Sequence, residues 1–152
     1  MMDNELLNLL TQILTEVVEM VKSHVDKKDL TGRVDYVSIY AHSKSKYDTI
    51  STKLLTLGTV GIVNNTGNYY ELIEPLLINN QTIRFCRVRK PDSDHLQRGY
   101  ADFEVVNYDS FKAKYLPKQY FSLLTKDEEM IELHDPQYNV RAYFLSGKFY
   151  LD

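Results

Sequence analysis

The sequence predicts an α+β fold: two βαβββ modules forming a curved mixed/antiparallel sheet around a cleft, preceded by a long N-terminal helix. Three observations carry this. Apolar residues recur at three- to four-residue spacing over 3–25. The order strand, helix, several short strands then occurs twice. Finally, Tyr47-Asp48-Thr49-Ile50 with Lys53 and Leu55 matches Tyr108-Asp109-Ser110-Phe111 with Lys114 and Leu116 at a constant offset of 61 residues. Chance likeness between two amphipathic helices would explain that match too, but the repeated element order is independent of it. One domain over 1–152 is expected, with the helix at 3–25 and modules at 34–90 and 100–146.

Each element has its own signal. Asp3 suits the cap of the first helix and Glu5 its first turn, while Leu6, Leu10, Ile13, Val17, Met20, Val21 and Val25 form its stripe. Leu7, Leu9, Leu14 and Val18 widen that stripe, which fits docking on a sheet or pairing with another chain. Residues 26–33 read as a connector ending in Thr31-Gly32. Val34–Ala41 alternates as a half-buried strand, with Val37, Ile39 and Ala41 on one face and Tyr36, Ser38 and Tyr40 on the other. A helix over Ser45–Leu57 stops at Gly58. Strands follow at Thr59–Asn64, Tyr69–Leu77 and Thr82–Lys90, separated by Asn-rich turns at 64–68 and 79–81. Pro91 ends this run, and a polar loop leads to the second module. There the strand is Tyr100–Val106, the helix Asn107–Leu116, and the closing strands lie near Tyr120–Leu124, Glu128–His134 and Val140–Leu145.

Composition narrows the function classes. Eighteen basic against 21 acidic residues give a net charge of −3, which supplies no overall drive toward nucleic acid or anionic membranes. No apolar run is long enough to cross a bilayer. The single cysteine, Cys86, has no intrachain disulfide partner. With no signal peptide in view, a cytoplasmic location is expected. Twelve tyrosines and no tryptophan suit either half-buried strand positions or the lining of a cleft or interface.

Two short stretches, Asp35-Tyr36-Val37-Ser38-Ile39 and Ala101-Asp102-Phe103-Glu104-Val105, open the modules. Together with the doubled βαβββ layout, they resemble the vicinal-oxygen-chelate (glyoxalase/bleomycin-resistance-like) superfamily, and within it YecM-like proteins. The resemblance implies a divalent metal held by residues on the first and last strands of each module. At those positions this chain has Tyr36, Asp102, Arg87, Arg89, Arg141 and Tyr143, and arginine has no lone pair to give a metal.

Weak metal candidates remain in Asp102, Glu104, Glu132 and His134, provided their strands meet; a solvated polar strand face is the favoured explanation of the same residues. Arg87 and Arg89 alternate onto one face with Phe85 and Ile83, where forked guanidiniums can hold a carboxylate or phosphate. The competing arrangement is an internal network with Asp102, Glu104 and Glu132. Expectation therefore centres on a small anionic ligand in a cleft lined by Tyr36, Ser38, Tyr40, Arg87, Arg89, Arg141 and Tyr143, in a binding protein or a degenerate metalloenzyme. The alternative is a non-catalytic protein-interaction module, a homodimer for example, assembling through helix 3–25. Cys86 is expected to be an inert buried thiol.

Overall fold

The computed structural model describes residues 4–126, 128–147 and 149; Asp3, the expected cap, lies outside them. Helix α1 (Asn4–His24) leads through a 3-10 turn (Lys27–Asp29) to β1 (Leu30–Tyr40), α2 (Lys44–Leu57), β2 (Gly58–Ile62), β3 (Tyr69–Ile78) and β4 (Gln81–Arg89). The second module holds β5 (Gly99–Val105), α3 (Tyr108–Tyr115), β6 (Phe121–Leu124), β7 (Met130–Leu133) and β8 (Val140–Leu145). The expected connector at 26–33 is thus partly helical turn and partly strand, because β1 begins pairing with β5 already at Leu30.

The eight strands form one sheet in the order β2-β3-β4-β1-β5-β8-β7-β6. Each module closes by a parallel pair, β1 with β4 and β5 with β8. The modules join through the antiparallel pair β1–β5. The result is a mixed sheet in which both opening strands sit at the centre.

All three helices contribute to one core on one face of this sheet. Leu10, Ile13, Leu14 and Val17 of α1 are fully enclosed with Val37, Ile39, Ala101, Ala142 and Phe144. Burying a side chain of this size is worth about 1.5–3 kcal/mol. The wide stripe of α1 is therefore spent inside the chain. Ser43 and Asn107 cap α2 and α3 by accepting from Lys46 N (3.1 Å) and Ser110 N (2.9 Å). The 61-residue offset holds for the inward-facing residues, Ile50 with Phe111 and Leu54 with Tyr115. It does not hold for the caps, since α2 starts a turn earlier than α3.

Two turns fix the first module's geometry. Asn79 and Asn80 both have positive φ (50° and 66°), the requirement of the two-residue hairpin turn that matches strand twist. Gly67 (φ 142°) lies so close to β4 that a Cβ would meet Val88 O at 2.1 Å. Only glycine lets the 64–68 turn fold down on that strand.

Candidate functional site

The sheet face opposite the helices collects the second cluster of side chains. Register places Tyr69, Arg87, Ser38, Tyr100 and Arg141 in one row across β3, β4, β1, β5 and β8. The neighbouring row holds Tyr36, Asp102, Tyr143 and Glu132. Tyr40 and Arg89 pair one step further along. Alternation had put Ile83 on this face, but it lies in the helix-side core, whereas Phe85 does belong here. β1 was expected to be half buried; instead Val34–Tyr40 is enclosed on both faces.

The enclosure is aromatic. Tyr36, Tyr40, Tyr100 and Tyr143 are each at most 5% exposed. Ring centroids lie 5.7 Å apart for Tyr36–Tyr100, 5.1 Å for Tyr40–Tyr100 and 4.9 Å for Tyr100–Tyr143. Their hydroxyls are linked as well, Tyr36 to Tyr100 at 3.2 Å and Tyr40 to Tyr143 at 3.2 Å. Burial pushes the Tyr36 and Tyr143 phenols well above their usual range, so both stay protonated donors at neutral pH.

The arginines divide into three cases. Arg141 realises the internal network: its Nη1 donates to Glu132 Oε2 (3.1 Å), and the Tyr143 hydroxyl donates to the same oxygen (2.7 Å). Arg87 is buried but has neutral partners. Its Nε donates to Gly67 O (3.0 Å), Nη1 to Tyr100 Oη (2.8 Å), and Nη2 to Thr66 Oγ1 (2.7 Å) and Asn64 Oδ1 (3.2 Å). The guanidinium also lies 4.4 Å from the Tyr69 ring centroid, within cation–π range. Arg89 is different again. Its Nε is buried and has no hydrogen-bond partner among the described residues, and its charge helps hold the Asp92 carboxyl below its usual value. Beside it, Tyr40 stacks on His95 (4.7 Å, 16°), whose imidazole is held below its usual range by burial and by Arg89.

At the other end lie carboxyl groups. The register slips between Val34 and Tyr36, and that bulge turns Asp35 inward. Burial raises its carboxyl to about 6, against the pull of Arg33, whose Nε is 3.3 Å away. Asp102 is 2% exposed, and its Oδ1 has no partner among the described residues. Burial raises it well above its usual value, with the hydrogen bond from Tyr36 pulling the other way.

These residues do not fit a metal. Tyr143 of β8 stands between Asp102 and Glu132 in the row, and Glu132 is committed to Arg141 and Tyr143. β7 ends at Leu133, so His134 lies beyond the strand rather than on it, 3.2 Å from the Gln97 amide. Glu104 sits toward the end of β5 and is partly exposed. Among the described residues no group of three or more His, Cys, Asp or Glu side chains gathers to hold an ion. Cys86 is buried in the helix-side core, where burial pushes its thiol up to about 12.

Sequence reasoning missed Tyr69, Tyr100 and Asp35 as members of this face. Tyr100 was within reach of the alternation argument, two residues before Asp102. Two surface depressions lie off the face. One of about 560 Å³ is bordered by Asn107, Tyr108 and Glu129, and one of about 230 Å³ by His42, Asp92 and Leu96.

No family model matches the chain, and no curated protein matches it at a significant level. Solved structures do share the fold. A structural-genomics protein, EC4020, aligns at a TM-score of 0.70 with 11% identity, covering 97% of this chain and 93% of that one. A mutant homoprotocatechuate 2,3-dioxygenase from Brevibacterium fuscum aligns at 0.51 with 15% identity over 82% of this chain; the chain spans 34% of the dioxygenase's length. At these identities the likeness is one of fold alone.

Proposed function

We propose that this chain is a single-domain, YecM-like small-molecule-binding protein whose tyrosine-lined sheet face takes a small anionic ligand, with Arg89 as its anchor. One observation carries the reading: Arg89 shares that face with Arg87, yet its buried Nε has no hydrogen-bond partner among the described residues. Asp92 feels the Arg89 charge without making an ion pair, and a buried N–H left without an acceptor is costly unless something outside the chain supplies one. An arriving carboxylate or phosphate would gain a forked, charge-assisted contact. Tyr40 flanks the anchor, while Arg87, Arg141 and Tyr143 serve as framework around it. The interaction-module alternative loses support from α1, whose apolar stripe is occupied by its own sheet.

The test is calorimetric titration and thermal shift with hexanoate and inorganic phosphate at low ionic strength. A ligand at 100 times its Kd adds about 2.7 kcal/mol of stability. Arg89→Ala should abolish binding while leaving the unliganded protein as stable as before or more so. Equal anion binding by the native protein and Arg89→Ala refutes the anchor.

A further inference from the structure

The chain places one of its own rings on the ligand face. Phe149, just past the last strand, packs on Tyr36 (4.6 Å between centroids), Tyr69 (5.1 Å) and Phe85 (5.5 Å). The seat is aromatic on three sides. Its far end is polar: the Tyr36 hydroxyl is 3.4 Å from that of Tyr69 and 3.2 Å from that of Tyr100, which accepts from Arg87. A phenyl ring has no use for that polar end. Phe149 itself is only partly buried, as is Tyr69, whereas Tyr36 and Phe85 beneath it are enclosed. It reaches the seat from a short segment after β8, rather than from a strand of the sheet.

From the seat a continuous strip of rings, Tyr36 to Tyr100 to Tyr40, leads toward Arg89. Phe85 at the seat and Arg89 at the anchor are four residues apart on β4, about 13 Å at strand rise. Ring seat and cation therefore lie along one strand with Arg87 between them, separated by the length of a short alkyl chain.

Resting on the anion-binding reading above, we propose that the ligand is an elongated aryl acid, its ring displacing Phe149 from this seat while its acid group reaches Arg89. Phe149 is then an internal stand-in for the ligand ring. A site occupied by its own side chain binds with an affinity reduced by the fraction of time it is vacant. Removing the occupant raises the affinity for ring-bearing ligands only.

The experiment compares 6-phenylhexanoate with hexanoate, titrated into the native protein, Phe149→Ala and Phe149→Leu, with circular dichroism to verify folding. 6-Phenylhexanoate should bind the native protein more tightly than hexanoate. Phe149→Ala should tighten 6-phenylhexanoate at least tenfold and leave hexanoate unchanged, and Phe149→Leu, which half-fills the seat, should fall between. If hexanoate binds but the phenyl group adds nothing, or if Phe149→Ala leaves 6-phenylhexanoate unchanged or weakens it, Phe149 is plain core and the aryl assignment is wrong. If Phe149→Ala is unfolded, the leucine variant decides by the same criterion. If neither acid binds any variant, the anion-binding reading fails and this inference fails with it.

Discussion

Asp35→Asn separates the electrostatic cost of this face from its packing. The bulge in β1 holds the Asp35 carboxyl in an enclosed position where burial raises it from 3.8 to about 6. The folded state therefore binds its proton more tightly than the unfolded state. Between about pH 4 and pH 6 the native carboxyl is protonated while the unfolded one, near 3.9, is not, so stability falls as pH rises through this window. Above it the penalty is constant. A shift of about two units corresponds to ~3 kcal/mol at most, and residual solvent contact reduces that to about 2 kcal/mol. Asparagine copies the shape of the neutral acid and carries no charge at any pH. The variant should gain about 2 kcal/mol at pH 7.5, or roughly 4–8 °C in melting temperature for a domain of this size, and nothing at pH 3.5. Thermal melts across that range decide the matter. An equal effect at both ends, or a loss at pH 7.5, would show that Asp35 is held by packing or by Arg33 and not penalised by burial.

The remaining expectations concern the helix-side core. Leu10→Ala should cost about 2–5 kcal/mol, because Leu10 is fully enclosed where α1 meets the sheet. Urea titration should show a lower midpoint with an unchanged slope, and a loss under 1 kcal/mol would mean that α1 docks loosely. Cys86 should react with a thiol reagent at a negligible rate in the native protein and at once in strong guanidinium chloride, since the thiol is buried and held protonated. Rapid labelling of the native protein would contradict the enclosure of β4.

Much of the architecture was legible because it is written in short-range periodicity. The stripe of α1, the alternation in β1 and β5, and the turn residues at 64–68 and 79–81 specify their elements directly. Tyr36, Tyr40, Arg87, Arg89, Arg141 and Tyr143 fall on one face by parity alone, and the structure puts them there. What parity cannot supply is the neighbour from a distant loop. Nothing near Arg87 in the chain reveals that Asn64, Thr66 and Gly67 cradle it, since that depends on a glycine-permitted approach 20 residues earlier. The Asp35 bulge is equally silent, because one extra residue in a strand leaves no compositional trace. Phe149 lies beyond the last periodic element, where pattern arguments have nothing to hold.

The central position of β1 also shapes how this chain acquires its structure. β1 is flanked by β4 and β5, strands whose paired residues lie about fifty to seventy-five positions further along the chain. α1, made first, rests on β1, β5 and β8, so its apolar side has no complete docking site until the last strand exists. On the ribosome the chain would carry an amphipathic helix and a hydrophobic strand uncovered until β8 has emerged. Long-range closure of this kind slows folding and exposes intermediates to aggregation. The same arrangement that buries the seam most deeply in the finished protein leaves it most vulnerable while the protein is being made.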